Sequence, residues 1–205
     1  SYELEDGYKL EIVGQIDRID ADPSGSYFLV IDYKSGNAYL NLLEVYYGLQ
    51  LQLMTYLLVA KNASAAILGK PSLPAGMLYC FLKNPQLSES HPLSKGEAEE
   101  KVSKLMRMPG WVLADSEVIR KIDTAAKFIK VSLKADGTIY QSSRSQVKSG
   151  EDFAALMMHI DGVLRNTGRQ ILNGDTTARP YRLAAQKEAC TYCSYRPVCQ
   201  FDLLI

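Results

Sequence analysis

Net charge is the first thing missing: 23 lysines and arginines balance 23 aspartates and glutamates in 205 residues. The chain therefore carries no global basic signature for nucleic acid. Long hydrophobic runs are missing as well. The longest, such as Met77–Leu82, fall far short of the roughly 20 residues a spanning helix needs, and no signal-peptide pattern is present. Cysteine is sparse, with three of the four residues bunched near the C-terminus and Cys80 alone. That spacing is not a disulfide framework and points to a reducing, cytoplasmic setting. The two histidines, His91 and His159, are not expected to be ligands. There is no internal repeat and no low-complexity segment.

What is present is ordinary for one globular domain with a sizeable core, at 47% hydrophobic and 22% charged residues. Charge is nevertheless uneven. Residues 1–40 hold eight acids against Lys9, Arg18 and Lys34, whereas Arg165, Arg169, Arg179, Arg182, Lys187 and Arg196 make the C-terminal stretch basic. An acidic half beside a basic half suits a metal site next to a phosphate-binding rim, and equally an ordinary solvated surface.

Tyr8–Asp20 and Ser26–Lys34 are rich in Ile, Val, Tyr and Phe and read as strands, joined by the turn residues Asp22-Pro23-Ser24-Gly25. Asn41–Lys61, without proline, reads as one helix. Gly76–Leu82 reads as a buried strand that would make Cys80 a small core residue. Lys95–Met106 and Asp115–Ile122 are polar helical segments around Pro109-Gly110. Phe128–Leu133 and Thr138–Ser142 form a weaker hairpin about Asp136-Gly137, and Glu151–Leu172 is an amphipathic helix. The tail from Ala178 is irregular. This order predicts an α/β or α+β domain with a mixed central sheet.

The first hairpin carries the chemistry. Folded about a turn centred between Ser24 and Gly25, it opposes residues whose numbers sum to 49, so Asp17 faces Asp32. Lys34, two residues on, shares that face. Opposed β-carbons lie roughly 5 Å apart, and two like charges there destabilise a sheet unless a cation sits between them. Two carboxylates completed by water and phosphate oxygens suit Mg²⁺. Asp32 follows Phe28-Leu29-Val30-Ile31, a run that looks buried on both faces, so an acid and a lysine at its end are costly without a role. Separately, Cys190, Cys193 and Cys199 form C-x2-C-x5-C, which places three soft thiolates in one loop as metal or cluster ligation requires. Zinc would also need a fourth ligand.

Gly14-Gln15-Ile16-Asp17-Arg18-Ile19-Asp20, Ile31-Asp32-Tyr33-Lys34-Ser35-Gly36 and Gln52-Leu53-Met54-Thr55-Tyr56 together resemble the ordered motifs of RecB-type PD-(D/E)xK nucleases. With the C-terminal cysteines they look most like the AddB nuclease domain of AddAB helicase–nucleases. The resemblance implies a restriction-endonuclease-like core over residues 1–177 and a cysteine-rich iron–sulfur tail over 178–205. It implies an exonuclease acting on DNA with Mg²⁺ or Mn²⁺, partnered by the AddA helicase of the AddAB complex. Asp17, Asp32 and the Tyr33 backbone carbonyl would be metal ligands, Lys34 the catalytic lysine, and Gln52 and Tyr56 the Q-x-x-x-Y element. Cys190, Cys193 and Cys199 would be three of four ligands of a 4Fe–4S cluster. The fourth cysteine, and an acid or histidine on a helix before the first active-site strand, are expected upstream in a longer protein. The cluster is accordingly expected to be absent or incomplete in this chain alone. A stand-alone RecB-like exonuclease of a CRISPR-type system and a non-catalytic DNA-binding module of the same fold are the alternatives.

Overall fold

The computed structural model describes residues 1–124, 127–134, 136–140, 146–184 and 187–199. Its centre is a five-stranded sheet in the order β3 (Arg18–Ala21), β4 (Tyr27–Lys34), β5 (Leu73–Phe81), β6 (Gly110–Leu113) and β7 (Val147–Lys148). The sheet is mixed, as expected: β3–β4 and β5–β6 are antiparallel, β4–β5 and β6–β7 parallel. A short pair, β1 (Tyr2–Glu3) with β2 (Lys9–Leu10), precedes it.

Residues alternate along β4 between two cores. Phe28 and Val30 pack with Leu53, Met54 and Leu57 of α2 (Gln52–Asn62) and with Phe153, Met157 and Ile160 of α6 (Gly150–Leu172). Leu29 packs on the other face with Leu78 and Val112, and with Val118 and Ile119 of α5 (Ser116–Ile122). Burying each such side chain stabilises the fold by about 1.5–3 kcal/mol, so this strand is strongly fixed in register. The face carrying Phe28 and Val30 continues to Asp32 and Lys34, beneath the start of α2. The remaining helices are α1 (Leu42–Tyr46), α3 (Ser64–Leu68) and α4 (Lys95–Leu105). The tail contains β8 (Arg182–Ala184) paired with β9 (Lys187–Glu188), a 3-10 turn at Ala189–Tyr192 and α7 (Arg196–Cys199).

Several expectations are corrected. Tyr8–Asp20 is not one strand: Lys9–Leu10 pairs with Tyr2–Glu3, and the ladder to β4 begins only at Arg18. Asn41–Lys61 is two helices, because the chain turns at Gly48 with φ 80°. A polar network holds that turn. The buried Glu44 accepts from the Tyr39 hydroxyl (3.0 Å) and Gln50 Nε2 (2.9 Å), and Gln50 Oε1 accepts from Asn41 N–H (2.9 Å). Pro109-Gly110 does not merely separate helices but leads into β6. Cys80 is half-buried at the end of β5 rather than in the core. The Asp136-Gly137 turn forms, with Thr138 N–H donating to Asp136 Oδ1 at 2.9 Å. Among the described residues its strands meet only at a Leu133–Ile139 bridge, and residues 141 and 142 of the expected second strand lie outside them.

Candidate active site

The buried run of β4 ends in Asp32-Tyr33-Lys34. The Asp32 side chain is 3% exposed, and its Oδ2 lies 2.6 Å from Lys34 Nζ. That contact is an ion pair whose angles make no hydrogen bond, so Oδ2 is buried without a hydrogen-bond donor. A buried carboxylate oxygen held by one ion pair and no hydrogen bond has lone-pair capacity left over, which a second cation could use.

Lys34 Nζ also donates to Gln52 Oε1 at 2.9 Å, and Gln52 Nε2 donates to the Tyr56 hydroxyl at 3.1 Å. Gln52 and Tyr56 are four apart on α2 and share a face. Asp32, Lys34, Gln52 and Tyr56 thus form one connected chain. Gly14 backs it, since a Cβ at Gly14 would stand 3.4 Å from the Tyr56 ring.

The register is the one the turn predicts: Arg18 opposes Ile31, Ile19 Val30, Asp20 Leu29 and Ala21 Phe28, each pair summing to 49. Asp17 lies one residue beyond the ladder. Its Oδ2 accepts the backbone N–H of Tyr33 at 2.8 Å, which ties it to the peptide unit joining Asp32 to Tyr33. Arg18 turns to the opposite face. It makes a two-pronged pair with Asp20, both contacts 2.7 Å, and donates to the Tyr33 hydroxyl at 3.2 Å. The Asp20 hydrogen bond, then the one to Tyr33, raises the Arg18 pKa further above its ordinary value.

One neighbour has no counterpart in the sequence motifs. Tyr79 pairs with Asp32 across the parallel β4–β5 ladder, and its ring centroid lies 5.5 Å from Lys34 Nζ. Burial, and then the charge of Asp32, pushes the Tyr79 phenol up. No sequence signal marks it, because parallel register is set by tertiary packing and not by a turn.

The cysteines lie elsewhere. Cys190, Cys193 and Cys199 line a cavity of about 310 Å³ together with Arg179 and Arg196. Among the described residues no three His, Cys, Asp or Glu side chains come close enough to hold a metal ion as a group. His159 places Nε2 2.7 Å from the Tyr46 carbonyl oxygen and stacks its ring on that of Tyr46 at 4.5 Å.

A family profile described as the PD-(D/E)XK nuclease superfamily matches residues 1–200. The chain belongs to that superfamily. Asp32-Tyr33-Lys34 spells the second half of the motif for which it is named, and the mixed sheet flanked by helices is the α/β arrangement of its restriction-endonuclease-like fold. Among curated relatives, the B-type subunit of the ATP-dependent helicase/deoxyribonuclease from Geobacillus thermodenitrificans is 40% identical over 210 residues. The proteins of the same description from Bacillus licheniformis and Bacillus subtilis are 39% and 37% identical over 208 and 209 residues. Each match covers 98% of this chain but only 18% of the relative. No helix among the described residues is long and apolar enough to cross a membrane.

Proposed function

We propose that this domain hydrolyses DNA phosphodiester bonds with the help of a divalent cation, as the exonuclease of an ATP-dependent helicase–nuclease that processes double-strand breaks. The observation that carries the reading is Asp32: a buried carboxylate whose Oδ2 has the Lys34 ammonium as an ion-pair partner and accepts no hydrogen bond, at the end of an otherwise apolar strand. The donor set suits Mg²⁺ or Mn²⁺. Asp17 and Asp32 would supply two carboxylates and Tyr33 a backbone carbonyl. No group of three His, Cys, Asp or Glu residues forms a metal site among the described residues, so water and phosphate oxygens would complete the shell, as Mg²⁺ prefers. When bound, such an ion supplies Lewis-acid stabilisation of the phosphate.

The residues of the chain do the remaining work. Lys34 presents its ammonium to the scissile phosphate, offsets the charge developing on its oxygens, and eases proton loss from the attacking water. Gln52 holds that ammonium in place, and Tyr56 braces Gln52. The face of α2 that carries both would reach the scissile region or the DNA backbone. The length of the relatives supports a helicase partner, the AddA protein of an AddAB complex, over a stand-alone exonuclease. The costly Asp32–Lys34 pair speaks against a non-catalytic DNA-binding module. We assign residues 1–177 to the nuclease domain and 178–205 to a tail that helps hold a 4Fe–4S cluster. Cys190, Cys193 and Cys199 are three ligands where a cubane takes four, and they do not by themselves close a site.

The test uses the full-length polypeptide with its helicase partner. Asp32→Ala and Lys34→Ala should each abolish cleavage of linear duplex DNA and leave ATP hydrolysis in place. Chelation by EDTA should stop cleavage, and Mg²⁺ should restore it. Wild-type cleavage by either variant would overturn the reading.

A further inference from the structure

Three neighbours surround the Lys34 ammonium, and two of them are polar: Asp32 Oδ2 at 2.6 Å and Gln52 Oε1 at 2.9 Å. The third is the Tyr79 ring, whose centroid lies 5.5 Å away. We infer that Tyr79 is a positioning residue for Lys34, its ring face closing the side of the ammonium that neither Asp32 nor Gln52 covers. The inference rests on the reading of Lys34 as the catalytic lysine.

The placement is built rather than incidental. Tyr79 sits opposite Asp32 in a parallel ladder, so the two side chains rise from the same face of the sheet. The ring is only 6% exposed and belongs to the apolar cluster under α2, so packing and backbone fix its orientation. Leucine would fill that cluster nearly as well. An aromatic ring also attracts a cation, and its face does so without presenting an acid, a base or a competing acceptor to the ammonium. A third polar acceptor here would draw the ammonium away from the phosphate. The ring holds it weakly and leaves both its charge and its donors available. A lysine released from this wall keeps its polar partners but loses its aim, and small misplacements of a catalytic group are expensive in rate.

The effect should therefore appear in turnover and not in substrate affinity. In the full-length polypeptide with its helicase partner, Tyr79→Leu should lower the cleavage rate at saturating linear DNA by roughly tenfold. The DNA concentration for half-maximal rate and the ATP hydrolysis rate should stay within about twofold. Tyr79→Phe, which keeps the ring, should recover most of the loss. If the leucine variant does not fold, fluorinated phenylalanines at position 79 decide the matter, since fluorine weakens the ring's attraction for cations at nearly constant shape. Cleavage should then fall stepwise with fluorine count. Equal losses in Tyr79→Leu and Tyr79→Phe, wild-type cleavage in Tyr79→Leu, or a flat fluorine series would each overturn the assignment. Lys34→Ala measured alongside separates the levels. If it is inactive while Tyr79→Leu is fully active, only the role of Tyr79 fails; if Lys34→Ala itself cleaves, the reading beneath fails.

Discussion

The Lys34 amine leans on a buried acid and on an amide near the surface, and the two supports differ in what their loss costs. Gln52 is exposed and its hydrogen bonds are solvent-accessible, so they contribute little to folding. Gln52→Ala should lower DNA cleavage by about tenfold and move the melting temperature by no more than about 2 °C. A collapse in thermal stability with cleavage preserved would make Gln52 a structural residue. That Asp32 and Lys34 share a face, and Gln52 and Tyr56 another that meets it, was legible in the sequence for two reasons. A tight turn transmits register to the residues flanking it, and a helix brings positions four apart onto one face. Tyr79 was not legible, because its partner strand arrives far along the chain from Asp32 with no turn to count from.

At the scale of elements, the hairpin owes its register to Asp22. Its side chain accepts from the Ser24 hydroxyl at 2.5 Å and from Tyr27 N–H at 2.8 Å, closing the turn from which the ladder is counted. Those bonds, the Ser24 hydroxyl first, hold the Asp22 carboxyl down to about 2. A carboxyl depressed in the folded state stabilises above its unfolded pKa, near 3.8, and loses that contribution as pH falls through about 2. The stability advantage of the wild type over Asp22→Asn should thus be flat from neutral pH to about pH 5 and shrink between about pH 4 and pH 2, as followed by urea melts. A gap unchanged down to pH 2 would remove Asp22 from the turn's support. Elements lost to sequence reading failed for local reasons. The run from Asn41 to Lys61 has helical composition throughout, and only the Glu44–Gln50 network and the left-handed Gly48 divide it. The strand after Pro109 is four residues long, and its first residue, Gly110, signals a break to any local rule. It is glycine because of the neighbouring strand: Gly110 lies opposite Leu78, and a Cβ there would meet the Met77 carbonyl oxygen and stand 2.8 Å from Leu78 Cα. At Gly76 a Cβ would stand 2.6 Å from the Trp111 carbonyl oxygen. Gly110→Ala or Gly76→Ala should therefore cost about 1–3 kcal/mol in chemical denaturation, whereas Gly36→Ala, with open space around it, should cost far less.

Over the whole molecule, the absence of net charge and the proposed nucleic-acid-directed site are compatible because the charges are segregated along the chain. The core is likewise segregated from the cysteines. Among the described residues, neither apolar cluster includes one after Leu164, and β8 pairs only with β9. The sheet and its two cores should fold without a cluster in the tail, and a cluster should not be needed to hold Asp32 against Lys34. The cysteine spacing was plain in the sequence, but spacing fixes only which thiolates can share a metal or cluster, not how many ligands complete it. Cys193 and Cys199 are exposed, Cys190 is half-buried, and the cavity they line is also lined by Arg179 and Arg196 and by no fourth cysteine among the described residues. Three thiolates leave one iron of a cubane open to solvent and oxidants. This 205-residue chain, purified anaerobically, should consequently carry well under one cluster per molecule by iron analysis and absorbance near 400 nm, with its thermal transition intact. On our assignment of the tail, a polypeptide of the relatives' length should carry a complete cluster. Full iron in the short chain would require a fourth ligand within it, with Cys80 the remaining thiol, and Cys80→Ser would then have to abolish the absorbance.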